Sequence, residues 1–200
     1  MRDKSVLRVD DERMSAKVSA ALDNLYYKKY EDFERVFDRE RQVKGIDVIF
    51  IRDGVEYKCD EKAAVRWRNL QTFSFELSFI DRRGDIVDGW FVSDRCENNS
   101  YLLIWLDQND DKETMEAALV KKDKIMRHLE DLGWSKDKLM EKESQIRAND
   151  GIGINFGNIR KNGCKFAFST KLVEKPVNVL LPREVLKGLA EDIFNCEVTE

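Results

Sequence analysis

Between Gly45 and Val65 two runs of strand-forming residues flank an Asp-Gly pair, and no other stretch limits the fold as tightly. Ile46-Asp47-Val48-Ile49-Phe50-Ile51 is rich in β-branched and aromatic side chains. Asp53-Gly54 follows, and the pattern resumes from Val55 to Val65. An Asp-Gly loop suits a type I′ turn, so the stretch predicts a tight antiparallel hairpin. With Asp53 and Gly54 as the loop, Arg52 faces Val55, Ile49 faces Lys58 and Asp47 faces Asp60. Side chains alternate between the faces of a strand, so Asp47, Asp60 and Lys62 emerge together. Ile46, Val48, Phe50, Tyr57, Cys59 and Ala63 emerge on the other face, a nearly apolar set fit for a core.

Two carboxylates directly opposite each other have β-carbons about 5 Å apart and repel. Exposure to water, protonation of one member, or a cation between them relieves the repulsion. Mg²⁺ takes oxygen ligands at about 2.1 Å and is often held by only one or two carboxylates. Lys62, two residues beyond Asp60, adds a positive group. Two acids, a lysine and a hard cation are the parts needed to attack a phosphodiester. The competing reading is a solvated charged sheet face, because Asp-x-Lys arises readily by chance among 39 acidic and 35 basic residues. A bulged or longer loop would shift the register by one and separate the acids.

Asp47 and the later Asp60-Glu61-Lys62, with the second acid and the lysine in a strand, resemble the signature of the PD-(D/E)XK nuclease superfamily. Gly45-Ile46 stands where that signature has a proline. The resemblance implies a restriction-endonuclease-like αβββαβ core and Mg²⁺-dependent cleavage of nucleic acid, with Mn²⁺ as a substitute. It makes Asp47 and Asp60 metal ligands and Lys62 the catalytic lysine. The strong motif covers residues 45 to 65 only. Many members add an acid from the first helix, for which Asp23 is the candidate and Glu31 and Glu34 are competitors. Glu76 joins the catalytic set, because alternation places it between Ser74 and Ser78, opposite the aromatic face of its strand. Gln71 stands where some members carry a polar residue after the lysine.

Elsewhere the patterns predict a mixed α+β fold, with a central mixed sheet flanked by helices. Charged residues 1 to about 12 read as loosely attached. Helical spacing then runs from Met14 to about Tyr30, while Phe33 to Phe37 fits strand or helix. Strands are expected at Phe73–Ile80, Trp90–Val92, Tyr101–Leu106, Phe166–Leu172 and Val177–Leu181. Helices are expected over Lys112–Leu132, capped by Gly133, from Ser135 to about Arg147, and from Pro182-Arg183 to about Phe194. A chain of 200 residues with no evident linker reads as one domain.

The net charge of −4 gives no global attraction to a polyanion, so a nucleic-acid partner, DNA first, needs a local basic patch. Arg66 and Arg68, with Trp67 to stack on a base, are the best candidates; Lys121, Lys122, Lys124 and Arg127 form another basic run, and Arg160, Lys161 and Lys165 a third. His128 is the single histidine and reads as a surface residue, which disfavours Ser-His or Cys-His chemistry. Cys59, Cys96, Cys164 and Cys196 lack metal-ligand spacing. Without an apolar leader or a membrane-length run, the expectation is a reduced, cytoplasmic protein with no membrane partner. The sequence leaves a homodimer open. Besides a nuclease, it admits a catalytically inactive nucleic-acid-binding or assembly protein on the same scaffold, or an unrelated α/β protein in which the motif is coincidence.

Overall fold

The computed structural model describes residues 4–30, 32–109 and 112–198. In chain order the elements are helix α1 (Lys4–Ala21), strand β1 (Glu34–Arg35), helix α2 (Arg39–Val43), and strands β2 (Val48–Arg52) and β3 (Val55–Arg68). Strands β4 (Thr72–Ile80), β5 (Ile86–Asp88), β6 (Ser100–Asn109) and β7 (Lys112–Lys121) follow. The chain continues through helices α3 (Lys122–Asp131), α4 (Lys136–Ala148) and α5 (Ile159–Asn162), strands β8 (Lys165–Phe168) and β9 (Val177–Pro182), helix α6 (Arg183–Leu189) and strand β10 (Asp192–Glu197). The fold is mixed α/β, as the sequence patterns predict. It packs as two compact units. One holds the chain up to Leu70, Asn98–Lys121 and the chain from Ala190; the other holds Gln71–Glu97 and Lys122–Leu189.

The first unit is built on a six-stranded sheet of order β1-β2-β3-β6-β7-β10. Among its described pairs only β3–β6 is parallel. The hairpin takes the predicted register, with Arg52 opposite Val55, Ile49 opposite Lys58 and Val48 opposite Cys59. Asp53 and Gly54 have φ of 52° and 77°, the paired positive values that a type I′ turn requires. Val48, Phe50, Tyr57 and Cys59 join Leu102, Ile104 and Leu106 of β6 and Met115, Ala117 and Leu119 of β7 in one core. Val18, Leu22, Tyr26 and Tyr27 complete it. Phe50 stacks on Tyr57 at 5.2 Å and on Tyr30 at 4.5 Å.

The first helix begins at Lys4, ahead of the predicted Met14; Met1–Asp3 lie outside the described residues. It also does not reach Tyr30 as one α-helix. A π-helical turn spans Leu22–Tyr26 and a 3₁₀ turn spans Tyr27–Lys29. The wider turn lets Tyr26 and Tyr27, adjacent in sequence, both bury in the core.

The long helix expected over Lys112–Leu132 is a strand followed by a shorter helix. Its first half is β7, paired with β6 from Asn109–Lys112 to Ser100–Lys121. Met115, Ala117 and Leu119 alternate into the core, while Ala118 and Val120 are buried on the opposite face. Burial on both faces of a central strand overrides the helical preference of Met-Glu-Ala-Ala-Leu. The second half is α3, closed by Gly133 at φ 88°, with the Trp134 amide donating to the Leu129 carbonyl at 2.8 Å.

The second unit carries an antiparallel four-stranded sheet of order β5-β4-β9-β8. The strand predicted at Phe73–Ile80 is β4 of this sheet. Ser78, Glu143 and Arg147 form a hydrogen-bonded cluster where α4 meets β4. Ser135 caps α4 as expected, accepting from the Lys138 amide. Trp90–Val92 is a turn and not a strand, folded so that the Phe91 amide donates to the Glu76 carbonyl at 3.2 Å. The last helix stops at Leu189, and the residues beyond it form β10 on the edge of the first sheet.

Candidate active site

Asp47 sits where β2 begins. Its amide donates to the Cys59 carbonyl at 2.9 Å, and its carbonyl accepts from the Val36 amide at 2.8 Å. With that carbonyl turned towards Val36, the Glu61 amide needs another acceptor. Asp47 Oδ2 supplies it at 2.9 Å. The Asp47 carboxyl also lies close enough to that of Asp60 to raise its pKa, and Asp47 lines a cleft of about 610 Å³ together with Asp23, Arg35, Gln42 and Glu61.

Asp60 is only 2% exposed, a rare state for a carboxyl group unless it is paired. Lys62 Nζ lies 2.7 Å from its Oδ1. Burial pushes the Asp60 pKa up to about 7; the Lys62 charge and hydrogen bond oppose the rise, and the nearby Asp47 adds to it. Oδ2 points elsewhere. Gly45, at φ 75°, passes so close that a β-carbon there would lie 3.4 Å from Asp60 Oδ2 and 3.1 Å from Asn98 Oδ1. Asn98 is 4% exposed; its Nδ2 donates to the Ser100 carbonyl at 3.2 Å, and its Oδ1 has no hydrogen-bond partner.

These donors fit a small hard cation. Two carboxylates come together, an amide oxygen lies buried and unsatisfied beside one of them, and a glycine keeps the space between from being filled. Among the described residues, no three His, Cys, Asp or Glu side chains converge as a ligand set. Asp47 and Asp60 thus meet without a third acidic side chain completing a cluster among the described residues.

No protein-family model, curated protein or solved structure matches this chain.

Helix α1 and the β1–β2–β3 meander are followed along the first sheet by β6, parallel to β3. Between β3 and β6 the chain supplies β4 and β5 and no helix. Asp23, the candidate acid from the helical segment, does not reach Asp60 as a ligand would. It binds the Arg35 guanidinium, which also holds Glu61 at 2.9 Å, while the Tyr27 hydroxyl donates to Glu61 at 2.8 Å. Glu34 pairs with Arg41 at 2.7 Å, and Glu31 lies outside the described residues. Glu76 and Gln71 belong to the second unit. Glu76 packs there against Gly89, where a β-carbon would clash with its carbonyl, and the Gln71 carbonyl accepts from the Arg183 amide.

At the far end of β3 the register with β6 shifts between Ala63 and Arg68. Arg66 and Trp67 are exposed there, Trp67 by 66%. Arg68 is committed to Glu113 and the Val65 carbonyl, both at 2.5 Å. His128, expected on the surface, is half-buried with Nε2 unpartnered. Sequence reasoning passed over Glu61, Arg35 and Asn98. Glu61 carried a signal, as the residue between the two motif positions must face the helix side of the sheet.

Proposed function

We propose that this chain is a metal-dependent nuclease that hydrolyses phosphodiester bonds in nucleic acid, with DNA as the first substrate to test. One observation carries the reading: the hairpin sets Asp47 beside a buried Asp60, one oxygen of which is held by Lys62. Asp47 and Asp60 would hold Mg²⁺ or Mn²⁺. When bound, such an ion polarises a phosphate oxygen and lowers the pKa of its water. Lys62, with its side chain 29% exposed, can turn its ammonium group to the negative charge that develops on a phosphate under attack. Exposed Arg66 and Trp67 supply a backbone contact and a stacking surface. This local patch answers the overall charge of −4.

A second reading, an inactive nucleic-acid-binding or assembly scaffold, draws support from the same ion pair. Lys62 already neutralises Asp60, so the pair can persist with no cation at all. Incubation with supercoiled plasmid and single-stranded DNA, in Mg²⁺, Mn²⁺ or EDTA, separates the two. Metal-dependent cleavage that is lost in Asp60→Asn and Lys62→Ala supports the nuclease. Unchanged cleavage in both variants removes the site, and Mn²⁺ binding without cleavage of either DNA favours the scaffold.

A further inference from the structure

We propose that Asn98 is a third protein ligand of the divalent cation, donating its side-chain carbonyl oxygen beside Asp60. The inference rests on the reading of Asp47 and Asp60 as a metal site and adds a residue that the motif does not contain. Asn98 stands just before β6, the strand parallel to β3, so the fold sets it next to the hairpin although it is distant in sequence. Its amide nitrogen is engaged by the Ser100 carbonyl, which fixes which end of the side chain faces inward. The oxygen end is buried and lacks a donor. An acceptor left so is costly to the fold. A cation removes that cost.

The two oxygens of Asp60 divide their roles. Oδ1 receives Lys62; Oδ2 and Asn98 Oδ1 both lie within 3.4 Å of the point where a Gly45 side chain would begin. Glycine leaves that point empty, and its positive φ places the backbone close without a side chain intruding. The set is all oxygen, two carboxylates and one neutral amide. That composition selects Mg²⁺, Mn²⁺ or Ca²⁺ over Zn²⁺. A neutral third ligand also adds coordination without a third negative charge in a buried place.

The test is isothermal titration of Mn²⁺ into the full chain and into Asn98→Leu, Asn98→Asp and Asp60→Asn, with Mn²⁺-dependent thermal shifts as a second readout. Asn98→Leu, close in volume, is expected to weaken Mn²⁺ binding by roughly tenfold or more. Asn98→Asp keeps an oxygen in place and adds charge, so it is expected to tighten binding by roughly tenfold. It also carries the test if the leucine variant fails to fold. Wild-type affinity in either Asn98 variant, with binding lost in Asp60→Asn, overturns the role of Asn98 and leaves the aspartate site standing. Absence of Mn²⁺ binding in wild type overturns both.

Discussion

Lys62 reaches back along its own strand to place its ammonium 2.7 Å from Asp60 Oδ1, so a buried acid carries its counter-ion two residues away. The face alternation of a strand makes this possible, because residues at i and i+2 share a side. The pair then has to meet Asp47 across the hairpin, where the like charge of the second carboxylate works against it.

Lys62→Met is expected to act differently at two pH values. At pH 8 Asp60 is ionised in the wild type, and removing Lys62 strands that charge in a buried site. The expected loss is about 2 kcal/mol or more. At pH 5 Asp60 is already protonated, and the loss is expected to be much smaller. Urea unfolding at both pH values checks this; equal losses would show that the Lys62 contact does not depend on the charge of Asp60.

Asp60 also sets a pH trend for the metal-free protein. Its folded pKa, about 7, stands above the ordinary carboxylate value, so the folded state binds the proton more tightly than the unfolded chain. The resulting stability is complete below about pH 4, declines as pH rises, and is gone above about pH 7. Asp60→Asn cannot ionise. It is expected to match wild type near pH 4 and to exceed it at pH 8 by on the order of 4 kcal/mol. Thermal unfolding from pH 4 to 8 reads both curves, and parallel curves would contradict the assignment.

Arg35 holds Asp23 and Glu61 together on the helix side of the sheet. Arg35→Ala leaves Glu61, whose side chain is 11% exposed, without its cation. A loss of about 3 kcal/mol is expected. The double variant Arg35→Ala, Glu61→Gln is expected to recover part of it. Chemical denaturation of wild type, Arg35→Ala, Glu61→Gln and the double variant forms a cycle, and additive losses would rule out the coupling.

Phe50→Ala tests the support beneath the hairpin. The ring is fully buried and stacked on both Tyr30 and Tyr57, and its removal is expected to cost about 3–5 kcal/mol. Circular dichroism during urea titration measures it. A loss below about 1 kcal/mol would mean that the aromatic stack does not position the site.

The hairpin was legible because one local signal, Asp53-Gly54 between alternating apolar residues, fixes turn type and register together. From it the meeting of Asp47 and Asp60 follows. Asn98 and Arg35 were not legible, because they reach the hairpin through β6 and β1, and pairing between distant strands leaves no periodic mark in the sequence. Met115 to Leu119 misled for a related reason. Its spacing satisfies a helix as well as a two-sided strand, and only the partner β6 decides. Glu76 shows the limit of face alternation, which orients a side chain within its sheet but does not say which sheet the strand will join.

The central claim is that Asp47 and Asp60 hold a divalent cation used to cut nucleic acid. The most direct measurement is titration of Mn²⁺ into wild type and the Asp47→Asn, Asp60→Asn double variant, with both then incubated with plasmid and single-stranded DNA. The expected result is saturable Mn²⁺ binding and DNA cleavage by wild type, with both lost in the double variant while its fold is retained. Equal Mn²⁺ binding by the two proteins, or none by wild type at millimolar concentration, would contradict it.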